Sequence, residues 1–352
     1  MNITITKPRI VAFEVTRKCR FNCIHCRAAA SEESAKEYLT KEQCKKILFS
    51  LARYNKCIVI LTGGEPMERK DIYELIEYGN NIGHKMAVAT SGYLINNDSI
   101  KRLKDSGILT LSFSIDGSDA ISHDTFRRVT GAFDITLAAI EKAKNINIRF
   151  QINTTITKSN INHAHKISQL AEKLGAYCFN PFILVPTGRG TAISNEILDP
   201  DKYEKLLYDL AKIKKESPID VRITCGPQLS RIITQLDTKA FLRKRKFHGC
   251  MAGGGFAFIS YRGDVQTCGF LNISAGNLLD NDYNFEEIWE NSPLLNNIRD
   301  LSLYQGKCGK CEFIESCSGC RARAYEMTGN YLNSDPICNY QPKQLLNNNY
   351  EI

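Results

Sequence analysis

The sequence predicts an α/β fold: a partial (β/α)6 barrel of parallel strands, followed by a cysteine-rich C-terminal region. Three observations predict it. Six short apolar runs alternate with helical patterns through the first half of the chain. Several of these runs are nearly continuous in apolar residues, as strands covered on both faces are. Near Pro200 the rhythm changes, and Cys250, Cys268, Cys308, Cys311, Cys317, Cys320 and Cys338 all fall beyond it. Repeated strand–helix alternation implies a parallel sheet with right-handed crossovers. Six units are too few for a closed eight-stranded barrel, so the sheet is expected to stay open.

The elements follow in order. The runs Val11–Thr16, Cys57–Thr62, Lys85–Ser91, Leu109–Asp116, Arg149–Thr157 and Cys178–Val185 read as strands. Between the first two, Thr40 and Gln43 form a capping box, and Cys44, Ile47, Leu48 and Leu51 follow at one-face helical spacing. A helical stretch from Asp201 to Lys215 leads into the cysteine-rich part. The expected organisation is a core over 1–200, a helical bridge over 201–244 and a cysteine-rich domain over 245–352. The last has few long apolar runs, which implies little core of its own and a fold dependent on metal.

The chain has 352 residues, 43% hydrophobic and 24% charged, an ordinary globular composition with material for a large core. Its N-terminus, MNITITKPRIVAFEV, lacks the basic-then-apolar layout of a signal peptide, and no apolar run reaches the ~18 residues of a membrane span. A cytoplasmic location is expected, where fourteen cysteines are metal ligands more readily than disulfides. The net charge is +8, and the sharpest basic run is Arg243–Lys246, RKRK. Such a run is a solvated face or serves an anionic substrate; no aromatic-interleaved motif accompanies it, so nucleic acid is not expected as a partner.

The stretch CRFNCIHC places Cys19, Cys23 and Cys26 on the loop after the first strand. In parallel α/β sheets ligands bind beyond the carboxyl ends of the strands. Three thiolates there can hold three irons of a 4Fe–4S cluster and leave the fourth open, as a catalytic metal requires. A partial zinc site or redox thiols are the alternatives. The second strand ends in TGGEP, where Gly63 and Gly64 allow close approach of backbone to a ligand and Glu65 offers an acceptor. Downstream, CGKCEFIESCSGC spaces Cys308, Cys311, Cys317 and Cys320 as C-x2-C-x5-C-x2-C, closer than the two knuckles of a zinc ribbon.

The C-x3-C-x2-C loop after a first strand, the GGE segment, ATSGYL and SFSIDG together resemble the radical S-adenosylmethionine (SAM) enzymes over about residues 8–195. The resemblance implies a TIM-like partial barrel whose first cluster, on Cys19, Cys23 and Cys26, binds SAM. It places Gly63, Gly64, Glu65, Ser91, Ser114, Asp116, Arg127, Asn153 and Leu184 around SAM, with Arg127 in the place of a carboxylate-pairing arginine. His25 stands where the family usually has an aromatic residue. The C-terminal cysteines resemble the SPASM extension of these enzymes, although two residues, Ser318 and Gly319, stand where that pattern has three. The SPASM connectivity implies one auxiliary 4Fe–4S cluster on Cys308, Cys311, Cys317 and Cys338, and another on Cys250, Cys268 and Cys320, with Cys225 either completing it or standing by as a buried thiol. Cys44, Cys57 and Cys178 are left as buried thiols.

The strings FQINTTITKSNI, NPFILVPTGRG and CGFLNISAGNL resemble the haem-biosynthesis branch of the family. That branch implies oxidative decarboxylation of two propionates of Fe-coproporphyrin III to vinyls, giving haem b, with a ferredoxin or flavodoxin as low-potential electron donor and an auxiliary cluster as electron acceptor. Arg189 of PTGRG, and Arg321 and Arg323 beside the cluster cysteines, are then candidates for contact with the propionates or for support of the site. Sister enzymes usually carry an aromatic residue after the third cysteine, where this chain has Arg27. Another tetrapyrrole-modifying enzyme, of the haem d1 or didecarboxysirohaem branch, a peptide or protein maturase, and a pure electron-transfer protein are the alternatives.

Overall fold

The structure is a computed structural model, and the residues it describes are 5–33, 38–236 and 249–347. The basic run Arg243–Lys246 lies outside them. All six expected strands form: β1 (Ile10–Thr16), β2 (Ile58–Gly63), β3 (Lys85–Thr90), β4 (Thr110–Ser114), β5 (Phe150–Ile156) and β6 (Cys178–Ile183). They are parallel and lie side by side in chain order. Six helices follow or separate them: α1 (Lys41–Tyr54), α2 (Ile72–Asn81), α3 (Asn97–Asp105), α4 (Ala120–Arg127), α5 (Ala132–Asn145) and α6 (Ala164–Leu174). The capping box at Thr40 and Gln43 is present, and Cys44, Ile47, Leu48 and Leu51 are the buried face of α1. Val11, Phe13 and Val15 of β1 join Val59, Leu61, Val88, Phe113 and Ile152 in one buried cluster with these helices. Removing such a side chain from water contributes roughly 1.5–3 kcal/mol each.

The sheet is wider than six strands and remains open. β7 (Asp220–Val221) extends it beyond β6, while β8 (Phe256–Ile259), β9 (Asp264–Gln266) and β10 (Gly276–Asn277) extend it beyond β1. β8 pairs with β1 in parallel, from Ile10 opposite Phe256 to Phe13 opposite Ile259. β9 and β10 then turn antiparallel. Four residues of FAFI are too short a run to predict a strand, and their partner lies at the other end of the chain.

The cysteine-rich part is also better packed than its sequence suggests. Phe285, Ile288, Trp289 and Leu295 belong to the same buried cluster as the barrel. The helix Phe285–Asn291 packs against α1, with Phe285 N–H donating to Ser50 Oγ at 3.0 Å and Tyr54 O–H to Glu290 Oε1 at 2.8 Å. Its residues therefore share the barrel's core. Among the described residues no helix is long and apolar enough to cross a membrane.

Candidate active site

The cysteine loop leaves β1 at its carboxyl end and is docked on the end of β2. Gly64 N–H donates to Thr16 O at 2.7 Å and Glu65 N–H to Lys18 O at 2.8 Å. A Cβ on Gly63, whose φ is +146°, would collide with Thr16 O, and one on Gly64 with Lys18 O. The close approach that these glycines permit is thus to the backbone leading into Cys19. Glu65 is fully buried and accepts four bonds: from Met67 N–H (3.2 Å) and Thr90 O–H (2.8 Å) on Oε1, and from Ser91 N–H (2.8 Å) and Ser91 O–H (2.6 Å) on Oε2. Burial pushes its pKa up against these donors. Ser91 is therefore engaged with Glu65, a link that joins the ends of β2 and β3.

A second buried group sits beside Cys23. Arg127 Nη2 lies 2.6 Å from Asp116 Oδ2, and its Nη1 donates to Cys23 Sγ at 3.6 Å. The carboxylate paired with Arg127 here is Asp116, whose Oδ1 also accepts from Thr155 N–H at 2.7 Å. Burial raises the pKa of Asp116, but the charge of Arg127, with the Thr155 N–H bond, outweighs it and the net direction is down. His25 Nε2 is 3.9 Å from Asp116 Oδ2, and its ring packs on Phe126 with centroids 4.7 Å apart. Burial lowers the pKa of His25 to about 4, so its imidazole is neutral. Behind them His123 Nδ1 accepts from Asp116 N–H at 3.1 Å.

Arg189 reaches the loop from beyond β6. Its N–H donates to Cys26 O (2.9 Å), its Nε to Cys23 O (2.9 Å) and its Nη1 to Ala30 O (2.6 Å). Gly188, with φ +59°, lies so close to Arg27 O that a Cβ would clash. Arg189 is thus a strap across the cysteine loop. Ser114 ends β4 opposite Asn153 of β5, whose Oδ1 accepts from Gln151 at 2.9 Å; Leu184 follows β6 and is buried. All these residues stand at the carboxyl end of the sheet, with the three cysteines above it.

The C-terminal cysteines form two groups. Cys308, Cys311, Cys317 and Cys338 line one cavity, together with Arg231 and Tyr340. Cys225, Cys250, Cys268 and Cys320 form the other: Cys225 and Cys268 pack against the buried cluster that holds Cys320, and charge on Cys250 or Cys320 would push the Cys268 thiol up. Cys225 holds a left-handed backbone, φ +59°, as do Ser318 (+63°) and Gly319 (+62°) between Cys317 and Cys320. Arg323 and Asp335, both fully buried, brace the two groups. Arg323 donates to Asp335 through Nε (2.9 Å) and Nη2 (2.7 Å) and to Cys225 O through Nη1 (3.0 Å); Asp335 also accepts from Cys320 N–H (2.9 Å) and Gln228 Nε2 (2.7 Å). Arg321 donates to Tyr331 O, Asn333 O and Cys308 Sγ. Arg321 and Arg323 are therefore supports of the cysteines. Cys44, Cys57 and Cys178 are buried elsewhere.

These donor sets suit iron–sulfur clusters. Burial pushes the thiols of Cys19 and Cys268 up to about 12 and those of Cys250 and Cys338 to about 11. Such groups lose their protons on coordination to a metal, which deprotonates a thiol outright. Among the described residues no group of His, Cys, Asp or Glu is drawn together as a single-ion site would be, whereas four cysteines surround one cavity. Of the bracing residues, Thr90 lies within ATSGYL but was not singled out there, and Gln228 and Asp335 carry no motif; Asp335, three residues before Cys338, offered only its position as a signal.

Comparison with known proteins agrees with this arrangement. Residues 13–171 match the radical SAM superfamily, and residues 250–321 match SPASM, an iron–sulfur cluster-binding domain. The AdoMet-dependent heme synthase of Methanosarcina barkeri is 40% identical over 95% of this chain and 97% of its own. That of Nitratidesulfovibrio vulgaris is 37% identical over 96% and 94%. Streptococcus suis SuiB bound to its precursor peptide SuiA shares the fold, with a TM-score of 0.76 at 20% identity over 96% of this chain and 77% of that one. The chain belongs to the radical SAM superfamily, as a SPASM-containing, iron–sulfur and SAM-dependent enzyme of the AdoMet-dependent heme synthase group.

Proposed function

We propose that this enzyme converts two propionate side chains of Fe-coproporphyrin III to vinyls by oxidative decarboxylation, giving haem b. The observation that carries the reading is the 40% identity to an AdoMet-dependent heme synthase over nearly the whole of both chains. Cys19, Cys23 and Cys26 would hold the SAM-binding cluster; the groups headed by Cys225 and Cys308 would hold the auxiliary clusters. Loaded in this way, the first cluster would supply, together with SAM, the one-electron chemistry needed to take hydrogen from a carbon.

The chain's own residues set the stage for that chemistry. Gly63, Gly64 and Arg189 fix the cysteine loop on the sheet, leaving the fourth position to SAM. Glu65, Ser91, Ser114, Asp116, Arg127, Asn153 and Leu184 surround that position; the Arg127–Asp116 pair keeps a cation against Cys23. Each vinyl formed releases carbon dioxide and one electron, so the reaction needs a one-electron acceptor, and a ferredoxin or flavodoxin as donor for SAM cleavage. The groups of four cysteines are complete in thiolates and leave no open site for SAM. Fourteen free cysteines suit a reducing compartment, which we take to be the cytosol.

The test is anaerobic incubation of the cluster-loaded enzyme with SAM, a low-potential reductant and Fe-coproporphyrin III. Mass analysis should show the tetrapyrrole losing two carboxyl groups while 5′-deoxyadenosine accumulates. Robust SAM cleavage beside an unchanged tetrapyrrole would refute the reading and turn attention to a peptide substrate.

A further inference from the structure

Arg27, next after the third cysteine of the loop, has no part in the reading so far. Its Nη2 donates to Glu14 Oε1 at 3.0 Å, and its guanidinium lies 4.5 Å from the centre of the Phe258 ring. Glu14 is the one charged residue of β1, and it is 0% exposed. Arg17 shares it, with Nε 3.5 Å from Oε1, and itself lies 4.3 Å over Tyr261. Two guanidiniums thus share one carboxylate, and the trio keeps a net positive charge. Nε and Nη1 of Arg27 have no partner among the described residues and are not enclosed; the side chain retains 17% of its surface.

The surroundings suit a flat, apolar, acidic molecule. Gly269, beside Cys268, is pressed against the same place: a Cβ there would lie 2.9 Å from the Phe258 ring and 3.3 Å from Arg27 Cδ. The next residue, Phe270, pairs with Phe182 of β6, centroids 6.3 Å apart. The segment carrying Cys268 therefore reaches from Phe258 of β8 to Phe182 of β6, with aromatic rings at both ends. An arginine stacked on a ring and held by a buried carboxylate loses little freedom on binding an anion.

We propose that Arg27, positioned by Glu14 and Phe258, receives a propionate carboxylate of the tetrapyrrole on its free N–H groups. The inference rests on the proposed function above. It assigns a specificity residue at the position next to the cysteine loop, where a longer or shorter acidic side chain on the macrocycle would be read.

The experiment compares binding of Fe-coproporphyrin III and of its tetramethyl ester to the cluster-loaded holoenzyme, without reductant, followed by the porphyrin's absorption band. Wild type should prefer the free acid. Arg27→Gln should weaken binding of the acid by about ten- to a hundredfold, the size of a charge-assisted contact, and leave the ester's affinity unchanged. Arg27→Lys, which keeps the charge without the planar guanidinium, should fall between. Circular dichroism and iron content certify the fold of each variant. Should Arg27→Gln fail to load iron, wild type carries the test: phenylglyoxal modification of Arg27, mapped by mass spectrometry, should be blocked by the acid and not by the ester. Acid binding by a folded Arg27→Gln equal to that of wild type, or labelling of Arg27 indifferent to the acid, overturns the inference. A wild-type enzyme that neither binds nor converts Fe-coproporphyrin III instead overturns the proposed function, a separate result.

Discussion

The cysteine loop after β1 and the cysteines of the C-terminal part use the same donor atom in opposite ways. The loop offers three thiols on one short segment, and its holders are largely backbone: Gly63 and Gly64 at one side, carbonyls bonded to Arg189 at the other. The C-terminal groups gather thiols from distant segments, and their holders are buried charges, with Arg323 and Asp335 at the centre. The first set is anchored by backbone contacts around a single loop, the second by a buried ion pair that ties separate segments together.

The strongest way to break this contrast is to remove one thiol from the loop. Cys23→Ala leaves two ligands where three are needed; 5′-deoxyadenosine formation should drop to background while most of the auxiliary iron stays. Measured iron, sulfide and nucleoside together check it, and wild-type nucleoside yield from the variant would sink the assignment. A smaller effect should come from the other side. Arg323→Met strands the Asp335 charge in the interior, which costs roughly 3–5 kcal/mol. The anaerobic denaturation midpoint should fall accordingly and auxiliary iron with it, and Arg323→Lys should recover only part of the loss because one ammonium cannot reproduce three bonds.

The smallest expected effect distinguishes the regions by pH. Burial, then the charge of Arg127, lowers the pKa of His123 from 6.5 to about 4, so the folded state keeps it neutral while the unfolded chain protonates it. Its share of stability is complete above pH 6.5 and disappears as pH falls toward 4, at most ~1.4 kcal/mol for each unit. Asp335 behaves in the other sense: burial raises its pKa, Arg323 outweighs this, and the net direction is down. Its contribution is present above the ordinary carboxylate value of about 4 and is lost only in stronger acid. Between pH 7.5 and 5, therefore, unfolding free energy should fall in wild type and fall less steeply in His123→Gln, where His25, also held at about 4, still contributes. Identical slopes in the two proteins would remove His123 from the account.

The elements that carry their own pattern were legible in the sequence. The six strands announce themselves by apolar runs, α1 by its capping box, and the loop by the spacing of Cys19, Cys23 and Cys26. What escaped is what only the fold brings together. β8 is four residues long and finds its partner in β1; Arg323 meets Asp335 twelve residues on, with no periodicity linking them. Arg189 read equally as a group for substrate, since nothing in PTGRG says that its guanidinium turns back onto carbonyls of another loop. Glu14 did leave a trace, as a carboxylate set inside VAFEVT, but a lone charge in a strand says nothing of its two arginines.

The pairing of β1 with β8 also has a consequence in time. One edge of β1 is covered by β2 soon after it leaves the ribosome, but the other waits for Phe256–Ile259. Roughly 240 residues must be made in between, which at about 5–20 residues per second takes on the order of 12–50 seconds. Through that interval the nascent barrel presents an apolar strand edge, open to pairing with another chain, directly below the three thiols of the loop. Synthesis of this protein thus passes through a stage in which the cysteine loop is already formed while the strand that completes its floor does not yet exist.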